Sequence, residues 1–291
     1  VERSRPVDGF SLAYERSGSG ASVVLLHGWP GDHQDWREVR MLLGDALDVI
    51  VPDLRGFGQS DRHLQDPSVA YSAAAQARSV IGLIGELGLE RPVIAGYDVG
   101  SRMAQEIARA SPDALGALVV APPLPGVGRR VLEPDAQREF WYQWFHGLEL
   151  AELLIDGKPD AVGAYLGHFW SHWSGPGYEP DAAGMERLTE LYARPGAFTA
   201  SIGGYRAGAG TVARSLAEEA PARDERIAAP TTVLWPEHDP LFPPAWSDRV
   251  GEFFSDVTIR TLAGTGHFSP LEAPGEFAAA IAQASAGEAV G

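Results

Sequence analysis

Apolar residues in the first 120 positions gather in short unbroken runs rather than in alternation with polar ones. Ser22–Leu26 runs into His27-Gly28, residues 47–51 into Pro52-Asp53, and residues 92–96 into Tyr97-Asp98; residues 115–120 form a fourth run. Continuous apolarity of this length predicts parallel strands covered on both faces. Between the runs, residues 73–87 and 101–110 have helical spacing. In the second, Met103, Ala104, Ile107 and Ala108 share one face. This alternation predicts an α/β fold built on a doubly wound, mostly parallel sheet.

The rhythm stops at Ala121-Pro122-Pro123-Leu124-Pro125-Gly126. The next stretch is helical in pattern and holds 13 of the chain's 27 aromatic residues. That density marks either a tight helical core or an apolar pocket. Residues 231–235 and Val257–Leu262 then resume the strand pattern. The expected organisation is a core over residues 1–124, an inserted helical cap over 125–218 and the remainder of the core over 219–291.

Composition removes several chemistries. The 291 residues include no Cys, which excludes disulfides, thiolate metal sites and cysteine nucleophiles. They include no Asn, and Lys158 is the one lysine. The formal charge of −16 disfavours nucleic acid and anionic lipid as partners. No run of apolar residues is long enough to span a membrane, and the N-terminus carries no apolar signal core. The expected compartment is the cytoplasm.

The pentapeptide Gly96-Tyr97-Asp98-Val99-Gly100 joins the third run to the helix that follows. A Gly-x-nucleophile-x-Gly turn between strand and helix is a nucleophile elbow. Asp98 occupies the reactive position. An ionised carboxylate can attack an electrophilic carbon without a base. The plainer alternative is that Asp98 merely caps the helix. His27-Gly28-Trp29-Pro30 follows the first run, where this kind of fold takes one oxyanion N–H; Trp29 and Val99 are the expected donors, and His27 reads as structural. Pro236-Glu237-His238-Asp239-Pro240 follows a strand end and offers Asp239 as an acid, with Glu237 and His238 as neighbours. Gly264-Thr265-Gly266-His267-Phe268 places His267 on a glycine-rich loop with the freedom to reach the sheet edge. The order Asp98, Asp239, His267 is that of a nucleophile–acid–base triad.

With these motifs the chain resembles the α/β-hydrolase superfamily, and its epoxide hydrolases of the bacterial, soluble type in particular. The loop Asp53-Leu54-Arg55-Gly56-Phe57-Gly58 adds to the likeness. So do Trp141-Tyr142-Gln143-Trp144-Phe145-His146 and Gly204-Tyr205-Arg206 in the cap. The resemblance implies that Tyr142 and Tyr205 hold the epoxide oxygen during ring opening; the plain alternative is two buried aromatics. Trp141, Trp144, Phe145 and Trp170 are expected to line the substrate pocket. The elbow departs from the usual Gly-His-Asp-Trp-Gly at Tyr97 and Val99, and Pro236 stands where glycine is usual.

The implied activity is hydrolysis of an epoxide to a vicinal diol through an aspartyl ester, with no cofactor. The expected partner is a small-molecule epoxide; whether a second copy pairs with the chain as a homodimer is left open. The alternative is a haloalkane or haloacetate dehalogenase using the same Asp-His-Asp set. Haloalkane enzymes usually place Trp after the nucleophile, where this chain has Val99. Haloacetate enzymes resemble Asp-Arg-x-x-Arg, with two arginines for the carboxylate, of which only the second, Arg102, is present here. Arg102 is read either as an ion-paired helix residue or as a contact for an anionic substrate. His168 and His172 have the spacing of a two-His metal site. No Glu adjoins His168 and no third ligand is evident, so packing is expected and no metal.

Overall fold

The apolar runs become the middle of one sheet in the computed structural model, which describes residues 1–288. Its strands are β1 (Glu2–Arg3), β2 (Ala13–Ser17), β3 (Ser22–Leu26), β4 (Asp48–Pro52), β5 (Val93–Gly96), β6 (Ala117–Val120), β7 (Thr231–Pro236) and β8 (Val257–Leu262). The order is β1-β2-β4-β3-β5-β6-β7-β8. Strands from β4 to β8 in that order are parallel; β1 and β2 add an antiparallel edge. Every residue of β4, β5 and β6 is buried, as unbroken apolarity requires of strands covered on both sides.

Helices supply the two covers. Ala73–Glu86 packs against Val99–Ala110 on one side, and Arg37–Leu43 against Pro274–Glu288 on the other. The Ser72 hydroxyl starts the first of these by accepting from the Ala75 N–H at 3.2 Å. No helix among the described residues is long and apolar enough to cross a membrane.

From β3 the chain passes to β4 on one side and later to β5 on the other. The direction of winding reverses between β3 and β5, which opens a crevice beyond their carboxyl ends. Leu26 pairs with Gly96 there, so the loops after both strands face one space. The segment between β6 and β7, which includes helices Trp141–His146, Pro159–Trp173 and Ala182–Tyr192, covers that space. Trp170 Nε1 donates to the Pro30 carbonyl at 3.0 Å, and the Tyr192 hydroxyl to the Gly31 carbonyl at 2.8 Å. The Trp170 ring stacks on Phe268 with centroids 3.8 Å apart.

The turn after β5 is tight. A Cβ on Gly96 would lie 2.6 Å from the Gly100 carbonyl, and one on Gly100 would lie 2.1 Å from the Leu26 carbonyl oxygen. The two glycines let the helix Val99–Ala110 start almost in contact with β3. Gly100→Ala should therefore cost about 3 kcal/mol, because the obstacle is backbone and cannot swing aside. A fall in the urea midpoint at constant slope checks this; an unchanged midpoint would contradict the close packing.

Candidate active site

Asp98 sits at φ 48°, ψ −121°, a conformation that non-glycine residues rarely adopt. Its side chain makes no capping bond to the helix it precedes. The bend aims the carboxylate out of the sheet instead. Oδ1 accepts from the Trp29 backbone N–H at 2.8 Å, and Oδ2 lies 3.4 Å from His267 Nε2. On the far side of the ring, Nδ1 stands 2.9 Å from Asp239 Oδ2. Asp239 Oδ1 in turn accepts from the Leu241 N–H at 2.8 Å. All three side chains are enclosed: Asp98 is 6%, His267 2% and Asp239 4% exposed.

The neighbours of Asp239 go elsewhere. Glu237 Oε2 accepts from the Gly264 N–H at 2.9 Å, and the His238 side chain is about half exposed. The loop bearing His267 is clamped, contrary to the freedom its glycines suggest. Glu272 accepts from the N–H groups of Gly175, Gly266 and Phe268 at 2.9, 2.7 and 3.1 Å. Glu272 is a positioning residue that no motif announces. His27 is buried and neutral, with burial lowering its pKa; its Nε2 accepts from the Leu54 N–H at 3.0 Å.

Burial alone would discharge His267. The charges of Asp239 and Asp98 outweigh it and push the ring up to about 10. The resting site thus holds an imidazolium between two carboxylates.

Asp98 faces a cavity of about 40 Å³ lined also by Val99, Arg102, Tyr142, Tyr205 and Thr211. The rings of Tyr142 and Tyr205 meet nearly perpendicular, with centroids 5.7 Å apart. Gln143 Nε2 donates to the Tyr142 hydroxyl at 3.1 Å, while its Oε1 accepts from the Val212 N–H at 3.1 Å. Burial, and then neighbouring acidic groups including Asp98, raise both phenol pKa values well above the ordinary tyrosine value. Both phenols are therefore protonated donors at neutral pH.

Other expected residues lie away from this cavity. Trp141 and Trp144 are 41% and 58% exposed. Phe145 packs against Tyr165, and Trp170 is spent on Phe268 and Pro30. None of the four lines the cavity at Asp98. The aromatic density of the segment instead builds its own core, in which Trp29, Tyr165, Phe169 and Trp173 meet. Tyr97, unusual in an elbow, points beneath it; its hydroxyl donates to the buried Asp35 at 2.6 Å. The rings of His168 and His172 stack, and His172 Nε2 stands 2.8 Å from Glu139. Asp32, His33 and Asp53 form a further buried group, in which His33 Nδ1 stands 2.8 Å from Asp53 Oδ1 while Asp32 pairs with Arg187 and accepts from the Gln34 N–H.

A family model described as the alpha/beta hydrolase fold matches residues 21–274. The soluble epoxide hydrolase of Corynebacterium sp. (strain C12) is 30% identical over 92% of this chain and 91% of its own. The fluoroacetate dehalogenase of a Burkholderia species is 31% identical over 67% of this chain and 64% of its own. Among solved structures, the epoxide hydrolase of Bacillus megaterium superposes with a TM-score of 0.81 at 18% identity, covering 97% of this chain and 99% of that one.

The His267 geometry has a measurable signature. Its folded pKa lies above the free value of 6.5, so its stabilising effect is full below pH 6.5 and fades as pH rises through about 10. In ¹⁵N NMR the ring should be doubly protonated at pH 7.5, and Asp98→Asn should lower its pKa by removing one of two carboxylates. A neutral ring at pH 7.5 would contradict the arrangement.

Proposed function

The chain belongs to the α/β-hydrolase fold family, and from that premise we propose that it is an epoxide hydrolase working through an ester on Asp98. The observation that carries this reading is a carboxylate facing two neutral phenols across one small cavity. A carboxylate and two hydroxyl donors answer the two halves of an epoxide, an electrophilic carbon and an oxygen that gains charge.

In the first step Asp98 Oδ2 attacks a ring carbon from the side opposite the oxygen, while Oδ1 stays anchored on the Trp29 N–H. The C–O bond breaks and its electron pair goes to the oxygen. Tyr142 and Tyr205 hydrogen-bond that oxygen and one of them gives up its proton. Burial, which raises both phenol pKa values, keeps the proton in place until the alkoxide is there to take it. The tyrosinate then recovers a proton from the His267 imidazolium through water.

That transfer becomes favourable because of the first step itself. Esterification removes the charge of Asp98, one of the two carboxylates that hold His267 protonated. With Asp239 alone beside it, His267 becomes a base and deprotonates a water. The hydroxide attacks the ester carbonyl and the Trp29 and Val99 N–H groups hold the tetrahedral oxyanion; its collapse breaks the acyl C–O bond, the departing alkoxide takes the proton of the new carboxyl group by way of His267, and a vicinal diol leaves with Asp98 again a carboxylate and His267 again an imidazolium.

The same Asp98, His267 and Asp239 could displace halide instead. The likeness to a fluoroacetate dehalogenase and the presence of Arg102 favour that second reading; the tyrosine pair favours the first, since halide departure forms no alkoxide.

His267→Gln should stop the second step and let the ester accumulate. Intact-protein mass spectrometry with an accepted epoxide should show a gain of the whole substrate mass on residues 96–100. A folded, inactive variant with no adduct would rule out the ester. Tyr142→Phe and Tyr205→Phe should each slow ester formation by roughly 10²-fold, as loss of one oxyanion donor does, and leave ester hydrolysis nearly unchanged in stopped-flow traces. Parental ring-opening rates in both variants would turn the reading towards halide chemistry.

A further inference from the structure

One of the two phenols at Asp98 must lose its proton as the ring opens, and the hydrogen bonds around them are not symmetric. Gln143 follows Tyr142 on the helix Trp141–His146 and is half-buried beside it. Its amide is held at one end by the helix Thr211–Ala217, where Oε1 accepts from the Val212 N–H at 3.1 Å. That N–H lies in the first turn, which has no helical carbonyl to receive it. Gly210 makes the approach possible, since a Cβ there would lie 2.8 Å from Oε1. An amide turned end for end would set its NH2 against the Val212 N–H, donor against donor. The amide therefore has one orientation, and its NH2 faces Tyr142: Nε2 donates to the hydroxyl at 3.1 Å.

A hydroxyl that accepts from an amide keeps its own proton free to give elsewhere. In the resting site the Tyr142 oxygen also accepts from the Tyr205 hydroxyl, a contact that lowers the pKa of Tyr142 and raises that of Tyr205. Among the described residues no amide donates to the Tyr205 hydroxyl. A substrate oxygen draws the Tyr205 proton away from Tyr142, and the Gln143 N–H is then the donor that stays on the Tyr142 oxygen. Hydrogen bonds to a charged acceptor are stronger than those to a neutral one, so this bond tightens as Tyr142 becomes a phenolate. The charge of Arg102 lowers both phenols and does not choose between them.

We propose that Gln143 is a positioning residue that decides the acid of the pair: Tyr142 gives its proton to the opening ring, while Tyr205 donates a hydrogen bond and keeps its own. This assignment rests on the epoxide hydrolase reading and divides the work between its two hydroxyls. One proton balances the step. The electron pair of the breaking C–O bond goes to the oxygen, and that oxygen takes the Tyr142 proton and becomes the free hydroxyl of the ester. The negative charge passes to the Tyr142 oxygen, where the Gln143 N–H receives it. The Val212 N–H acts at one remove, through an amide that it does not allow to turn.

Two variants of similar size separate this role from packing. In Gln143→Glu the Val212 N–H still finds an acceptor, but a carboxylate that accepts now faces Tyr142 in place of an NH2 that donates. Ester formation should fall by about 10- to 100-fold near pH 8, as expected for a lost hydrogen bond to a charged group. It should recover towards about pH 5.5, where the half-buried carboxyl takes up a proton and donates again. Gln143→Met should lose ester formation to a similar degree at every pH, and ester hydrolysis should be unchanged in both variants. Parallel pH profiles for the two, or parental ester formation in either, overturn the proposal. A second measurement needs no substrate. With 3,5-difluorotyrosine, a more acidic phenol, placed at position 142 or at 205, phenolate absorbance is followed against pH. The ring at 142 should ionise at the lower pH, and Gln143→Met should raise its midpoint by about one pH unit or more while moving the ring at 205 far less. If the ring at 205 ionises first, or if Gln143→Met moves both alike, the assignment is wrong. If the titrations divide as expected while no epoxide is opened, the epoxide reading falls and the asymmetry set by Gln143 stands.

Discussion

Where the chain leaves β5, its backbone bends at Asp98 through a positive φ and re-enters as a helix pressed against the carbonyl of Leu26. Two glycines make that approach sterically open, and the position between them carries the strain. Much follows from this bend. It throws Asp98 clear of its own helix, brings it to the Trp29 N–H, and sets Arg102 on the cavity wall one turn further on. Strained backbone of this kind persists when the surroundings over-determine it, and here β3, β5 and the loop at Pro122 all hold it.

The charges gathered around the bend balance. Asp98 and Asp239 are negative, and His267 and Arg102 are positive; the first three are buried and Arg102 is partly so. A balanced buried group of this kind tolerates low dielectric far better than any member alone. Removing one negative charge by esterification leaves the site with surplus positive charge. That surplus relaxes by loss of the His267 proton, which is the event the second half of the proposed reaction needs. It also explains how one imidazole can rest as a cation and then act as a base.

Much of the architecture was readable from residues alone, because parallel strands buried on both faces leave unbroken apolar runs. Ser22–Leu26 coincides with β3 in this way; Val257–Leu262 coincides with β8 too, although that edge strand is mostly exposed and its apolar residues are interrupted by Thr and Arg. The antiparallel edge was not foreseen: Ala13–Ser17, with Glu15 and Arg16 partly in solvent, has neither a continuous run nor a clear alternation. Asp98, Asp239 and His267 were legible because a turn between strand and helix constrains sequence tightly, and the structure brings them within reach of one another. The four aromatic residues expected in the pocket were not legible as what they are. Aromatic density reports that a region is buried; it does not say against what. The clamp by Glu272 and the cavity face of Thr211 left no local signal, since each depends on contacts between segments distant in sequence.

β6 and β7 are neighbours in the sheet, yet all the residues from Ala121 to Pro230 lie between them in sequence. Parallel pairing across such a gap makes closure of the sheet a long-range event, and such events slow folding more than they weaken the folded state. The thermodynamic side is mild: each doubling of an inserted loop adds only about 0.6 kcal/mol of closure entropy. The junction after Val120 is therefore a place where the chain can be lengthened, shortened or rewritten at little cost to the sheet. A descendant of this protein could change much of what lies above Asp98 and inherit the bend, the imidazole and its two carboxylates, provided the contacts of Pro122 with the Asp98 N–H and of Trp173 and Gly175 with the His267 loop and its clamp were kept.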